Sequence, residues 1–113
     1  MAKSDAIIAK IAKLAGKGKL DGINKYSADP DDEVRKAVAV AFGQIPGYET
    51  GMALIPLLRD SSASVRAAAA ESAGKIRAKN CEEYIKKLAF ADSDPNVRIV
   101  AKEAFDVLKD RVV

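Results

Sequence analysis

Residues 29–45, 60–76 and 92–108 read DPDDEVRKAVAVAFGQI, DSSASVRAAAAESAGKI and DSDPNVRIVAKEAFDVL. The dipeptide Val-Arg falls at 34–35, 65–66 and 97–98, spacings of 31 and 32, and an Asp leads each run at the same spacings. A period of this length marks a chain built from stacked supersecondary units, none of which can bury its apolar face alone. Such a chain offers a surface for holding a partner more readily than a place where bonds are broken.

Within each run the apolar residues recur at offsets 0, 3, 4, 7, 8 and 11, one face of a 3.6-residue helix. The first stripe is Val34, Ala37, Val38, Ala41, Phe42 and Ile45; the second is Val65, Ala68, Ala69, Ser72, Ala73 and Ile76; the third is Val97, Val100, Ala101, Ala104, Phe105 and Leu108. Asp31, Ser62 and Asp94 stand where N-caps are needed, and Pro95 fits the first helical position, where its missing N–H costs nothing. Glu33 places negative charge in a first turn, which the helix dipole favours. The acidic run Asp29, Asp31, Asp32, Glu33 is thereby read as capping rather than as a pair for acid–base work, which would need a pocket and opposed environments.

A partner helix precedes each run, at 20–28, 52–59 and 82–91. Pro56 should bend its helix or sit near the first turn. Asn80 and Glu83 have the spacing of a reciprocal cap. A further helix at 4–15 carries Ile7, Ile8, Ile11, Leu14 and Ala15 on one side and Lys10 and Lys13 on the other, with Lys17 just beyond. Gly16 and Gly18 end it, and its expected role is to cover the first pair as a terminal unit must.

Composition removes several function classes. There is no His, and Cys81 is the single Cys, which excludes an internal disulfide and the usual His/Cys zinc sets. The common neutral-pH base is missing as well. Six aromatic residues leave Ala, Val, Ile and Leu to form the core. Lysines break every apolar stretch of the first nineteen residues, so neither a secretory signal nor a membrane span is expected, and the composition fits a reducing, cytoplasmic setting. The charge is lopsided: up to Ala28 the chain carries +4, the remainder −1. Gly16-Lys17-Gly18-Lys19 lacks the spacing and the preceding strand of a phosphate loop.

The three runs resemble HEAT repeats, specifically the short HEAT-like type also found in phycobilin lyases. Leu57-Leu58-Arg59-Asp60 through Gly74 fits the pattern best, Val34-Arg35 through Gly43 fits well, and the third run keeps Asp92, Val97 and Arg98 but has Asp106 in place of the glycine. The resemblance spans roughly Leu20 to Leu108. It implies an all-α, right-handed α-solenoid of three helical hairpins (20–45, 51–76 and 81–108) with an extra N-terminal helix, in a single domain over 1–113. It implies a non-catalytic protein-binding scaffold or adaptor with no cofactor. The iron-dependent hydroxylases of the family use His–Glu pairs, which a chain without His cannot supply. A role in bilin or cofactor attachment stays open as an alternative.

The resemblance also implies that Arg35, Arg66 and Arg98 pair with the repeated Asp of a neighbouring unit, for which Asp29, Asp60 and Asp92 are available; an arginine fork suits such bidentate pairing. The competing reading is a cation ladder for anionic ligands. Gly43 and Gly74 are expected where a following helix comes close. The second helix of each pair usually lines the concave side, so Lys36, Val40, Glu71, Lys75, Ile99, Lys102 and Glu103, with Tyr48 in its loop, form the candidate partner surface, weighed against an ordinary solvated face. Ile99 and Val107 lie off the stripe and leave a homo-oligomer contact open. Lys10, Lys13, Lys17 and Lys19 form the basic amphipathic pattern of a nucleic-acid or membrane contact, against which stand the small charge excess and the lack of interleaved aromatics. Cys81, without a base or second thiol, reads as incidental.

Overall fold

The computed structural model describes residues 3–109. Its helices are α1 (Lys3–Gly16), α2 (Leu20–Asn24), α3 (Asp32–Phe42), α4 (Tyr48–Leu58), α5 (Ala63–Lys75), α6 (Glu82–Ala91) and α7 (Pro95–Lys109). A 3-10 turn at Lys79–Cys81 leads into α6. Helices α1, α3, α5 and α7 pack in succession, each on the next, while α4 packs on α5 and α6 on α7. The body measures 47 × 29 × 16 Å, a slab two helices deep. The arrangement is all-α with adjacent-helix stacking.

The core is the apolar stripe read above. Val34, Val38, Phe42, Val65, Ala69, Ala73, Val97 and Ala101 have no exposed surface, and Leu54, Leu57, Leu58 and Ile85 meet them from the other layer. Asp31 caps α3 by accepting from the Glu33 N–H, and Asp94 caps α7 by accepting from the N–H groups of Asn96 and Val97. Ser62 sits at the N-cap of α5 but makes no capping bond; its hydroxyl meets Ser64 instead. Asn80 and Glu83 form no reciprocal cap either. The 3-10 turn puts Cys81 at the N-cap, and the Asn80 amide crosses to the Tyr48 carbonyl at 3.0 Å.

Two helix bounds also differ by more than one residue from the sequence reading, the start of α4 and the end of α2. Helix α4 begins at Tyr48, not 52, because Gly47 adopts φ 133° and its carbonyl accepts the Gly51 N–H. Tyr48 is therefore helical. Pro56 lies in the last turn of α4, where the only ladder bond it removes is that to the Met52 carbonyl. Helix α2 stops at Asn24; the N–H groups of Tyr26 and Ser27 turn back three residues to Ile23 and Asn24. Helix α1 ends in a Schellman arrangement: Gly18 has φ 66°, its N–H donates to the Ala15 carbonyl, and the Lys19 N–H reaches the Leu14 carbonyl.

The glycines set the stacking distance. A Cβ on Gly43 would stand 2.8 Å from Ser72 Oγ, and one on Gly74 would stand 3.2 Å from Ala104 Cβ. Each glycine lies nine residues after its repeat Val, and Ser72 and Ala104 each lie seven after theirs. One contact is thus used twice. At the first junction Ser72 Oγ donates to the Ala39 carbonyl at 2.6 Å, while the Gly43 N–H turns to Val40. A buried hydroxyl and a C-terminal carbonyl satisfy each other. Gly16 of α1 holds the same register, nine residues after Ile7, but a Cβ there would meet nothing within 4 Å. Helix α1 is thus a second helix of the same pattern, packed less tightly.

Gly74→Val should destabilise the fold by about 1–3 kcal/mol, because the added methyls must displace the α7 backbone. Gly16→Ala should stabilise it by about 0.5–1 kcal/mol, the ordinary helix-propensity gain. Urea titrations of the two variants check the contrast.

Candidate functional site

The polar turns at the start of α3, α5 and α7 carry the most ordered chemistry. Arg35 spans two pairs: its Nε donates to Asp60 Oδ1 at 2.9 Å and its Nη2 to Asp60 Oδ2 at 3.1 Å. Its Nη1 is anchored on the Asp29 carbonyl at 2.8 Å. Arg66 repeats the pose, with Nε to Asp92 Oδ2 at 2.8 Å, Nη2 to Asp92 Oδ1 at 3.1 Å and Nη1 to the Asp60 carbonyl at 2.7 Å. Arg98 keeps only the anchor, Nη1 to the Asp92 carbonyl at 2.7 Å. Its Nε–Nη2 edge meets no carboxylate among the described residues. Asp29 is the opposite end: its carboxylate accepts from the Asp31 N–H at 2.9 Å and takes no guanidinium fork among the described residues.

Both bridged carboxyls are mostly buried, with side-chain exposures of 10% for Asp60 and 5% for Asp92. Burial alone would push them up. The fork from Arg35 and the Ser62 N–H outweigh it at Asp60, and Arg66 with the Asp94 N–H does so at Asp92, so both are held below the usual carboxylate range.

The candidate surface residues fall on two faces. Val40, Glu71 and Glu103 each lie six residues after their repeat Val, and all three are exposed on adjacent helices. Lys75 joins this row through a loose 4.0 Å contact with Glu71, and Lys36 is half-buried beside Val40. Between this row and α1 runs a groove of about 300 Å³ lined by Ile8, Ile11, Ala12, Lys36, Ala37 and Val40, among others. Ile99 shares the register of Lys36, two residues after its repeat Val, and borders both this row and the stacking face of α7, while Lys102 points elsewhere. Lys102 occupies the register of Ala39 and Ala70, which are fully buried under the next helix, so it lies on the stacking face of α7. Tyr48 is on the other layer and is 72% exposed. A larger concavity of about 490 Å³ borders α6, but that single helix supplies its whole lining.

The HEAT-repeat family profile matches residues 51–110 of the 113-residue chain. The chain belongs to the HEAT-repeat family. No curated protein matches it closely enough to count as a relative. In this HEAT chain Cys81 is fully buried, its thiol donates to the Gly51 carbonyl at 3.2 Å, and burial pushes its pKa up to about 11. It packs rather than reacts. Among the described residues no group of three His, Cys, Asp or Glu is placed to hold a metal ion, and no helix is long and apolar enough to cross a membrane.

Sequence reasoning missed two features. Asn80 clamps α4 so closely that a Cβ on Gly51 would lie 2.1 Å from its Oδ1. The pairing of Asn80 with a glycine twenty-nine residues away carries no local signal. The kinship of α1 with α3 and α5 was readable from Gly16, which repeats the Val-to-Gly interval.

The two bridges make stability acid-sensitive with a definite sign. Both carboxyls titrate below their unfolded value, so their contribution is complete above about pH 3.9 and is lost as pH falls through the depressed folded values. Asp60→Asn, which leaves the Arg35 fork half-paired, should cost about 2 kcal/mol at neutral pH. It should also flatten the acid limb. Urea midpoints of wild type and variant between pH 2 and pH 7 check both.

Proposed function

We propose that this HEAT-repeat chain is a non-catalytic scaffold that binds a protein partner along the exposed side of α3, α5 and α7. The observation that carries the reading is the row Val40, Glu71 and Glu103, with Lys36 and Lys75 beside it: one register position, exposed on three successive helices. The backbone beneath it is fixed by the guanidinium bridges and the glycine contacts. A row of this kind recognises shape and scattered polar groups with little ordering cost, since the scaffold is already in place. The resemblance of the three runs, from Leu57-Leu58-Arg59-Asp60 through Val-Arg to the Ala-rich helix and Gly74, supports assigning the chain to the phycobilin-lyase-like subdivision of the family, and the single Cys supports a cytoplasmic setting.

The test is affinity capture from native lysate by wild type and by a Val40→Asp, Glu71→Lys, Glu103→Lys variant. All three positions are exposed, so the variant should keep its helix content and unfolding midpoint. A specific protein retained by wild type and reduced at least about tenfold by the variant is the expected result. Equal retention by both proteins counts against this face.

A further inference from the structure

We propose that the stacking face of α7, built from Arg98, Ile99 and Lys102, binds an acidic, aspartate-led helical segment of the partner protein; this rests on the protein-binding reading above. The argument starts from Arg98. Its two sister arginines are held by the same anchor, Nη1 on the carbonyl of the Asp six residues earlier, at 2.8 Å for Arg35 and 2.7 Å for Arg66. In both, the remaining Nε–Nη2 edge grips a carboxylate at 2.8–3.1 Å. Arg98 has the same anchor at 2.7 Å and an open edge. The molecule therefore shows twice what this guanidinium pose takes: the carboxylate of an Asp that leads a helix and folds back on the N–H two residues on.

The surroundings fit the same ligand. Ile99, beside Arg98, is 61% exposed. Lys102 is exposed and forms no ion pair among the described residues, whereas Asp106 is engaged by Lys109 at 3.1 Å. The free charge on this face is thus positive, around an apolar centre. Phe90, two residues before Asp92, is 66% exposed, while Leu58, two before Asp60, is 1% exposed. Lys102 and Asp106 replace the Ala70 and Gly74 of α5, so a unit of this chain's own kind cannot stack here at the same distance. A slimmer segment, an Asp turn opening one helix, avoids that clash. It offers one carboxylate to the fork, another to Lys102 and an apolar side chain to Ile99.

The probe is a labelled peptide copying residues 29–41 of this chain, which contains the acidic Asp29 turn, with an Asp29→Asn peptide as control. Full-length protein is titrated by NMR, following the Arg98 Nε–H signal and the backbone amides. Saturable shifts confined to Arg98, Ile99 and Lys102 are expected. The Asn peptide and an Arg98→Gln protein should each bind at least about tenfold more weakly, and Ile99→Asp should weaken binding with no change in unfolding midpoint. No binding, equal binding of the Asn peptide, or shifts centred on Lys10 and Lys13 overturns the proposal. Capture lost in the Val40, Glu71, Glu103 variant but unchanged in Arg98→Gln would overturn it while leaving the scaffold reading standing.

Discussion

The bidentate bridge from an arginine of one helix pair to the aspartate of the next is the contact on which the rest of this structure depends. Arg35–Asp60 and Arg66–Asp92 are the bidentate ion pairs between helix pairs, and each joins the turn of one pair to the turn of the next. The guanidinium is fixed on the carbonyl of its own turn, the carboxylate is fixed by the N–H of the turn it leads, and the fork joins them. Two charges this buried are unfavourable unless their buried polar atoms are hydrogen-bonded. Here they are, and no buried side-chain polar atom among the described residues lacks a partner. Such a bridge specifies register as well as attraction, because a shift of one helical position leaves two ions buried and unpaired.

The apolar contacts follow from that register. With the forks closed, Gly43 meets Ser72 and Gly74 meets Ala104, at distances that would crowd any side chain on the glycine. Small residues suit this geometry, since an alanine-rich stripe buries little area per residue and gains most from close, repeated dispersion contact. The face left over is set by the same rule. Positions that point neither at the partner layer nor at a neighbouring helix are free to vary, and there the chain carries Val40, Glu71 and Glu103.

Much of this was legible in the sequence because repetition multiplies weak signals. One Val-Arg pair says little; three at equal spacing, each behind an Asp and before an amphipathic stripe, determine the helices and their buried sides. The arginines were readable as candidates for pairing, and the glycines as points of close approach. Single-copy features were not readable. Asn80 looked like a local cap but serves α4 upstream, and Ser62 has the chemistry of a cap while its hydroxyl turns to Ser64. The candidate surface residues belong to the second helix of each pair or its loop, yet Lys102 lies on a different face from Val40, since only packing shows which sides of a helix its neighbours cover.

A double-mutant cycle on Arg66→Gln and Asp92→Asn, measured by urea unfolding at neutral pH and low salt, tests the central claim most directly. Coupling through the fork predicts an interaction energy of about 1–3 kcal/mol between the two sites, with each single variant costing nearly as much as the double. Strict additivity, to within about 0.3 kcal/mol, would show that the pairs are held by apolar packing alone and would contradict the account.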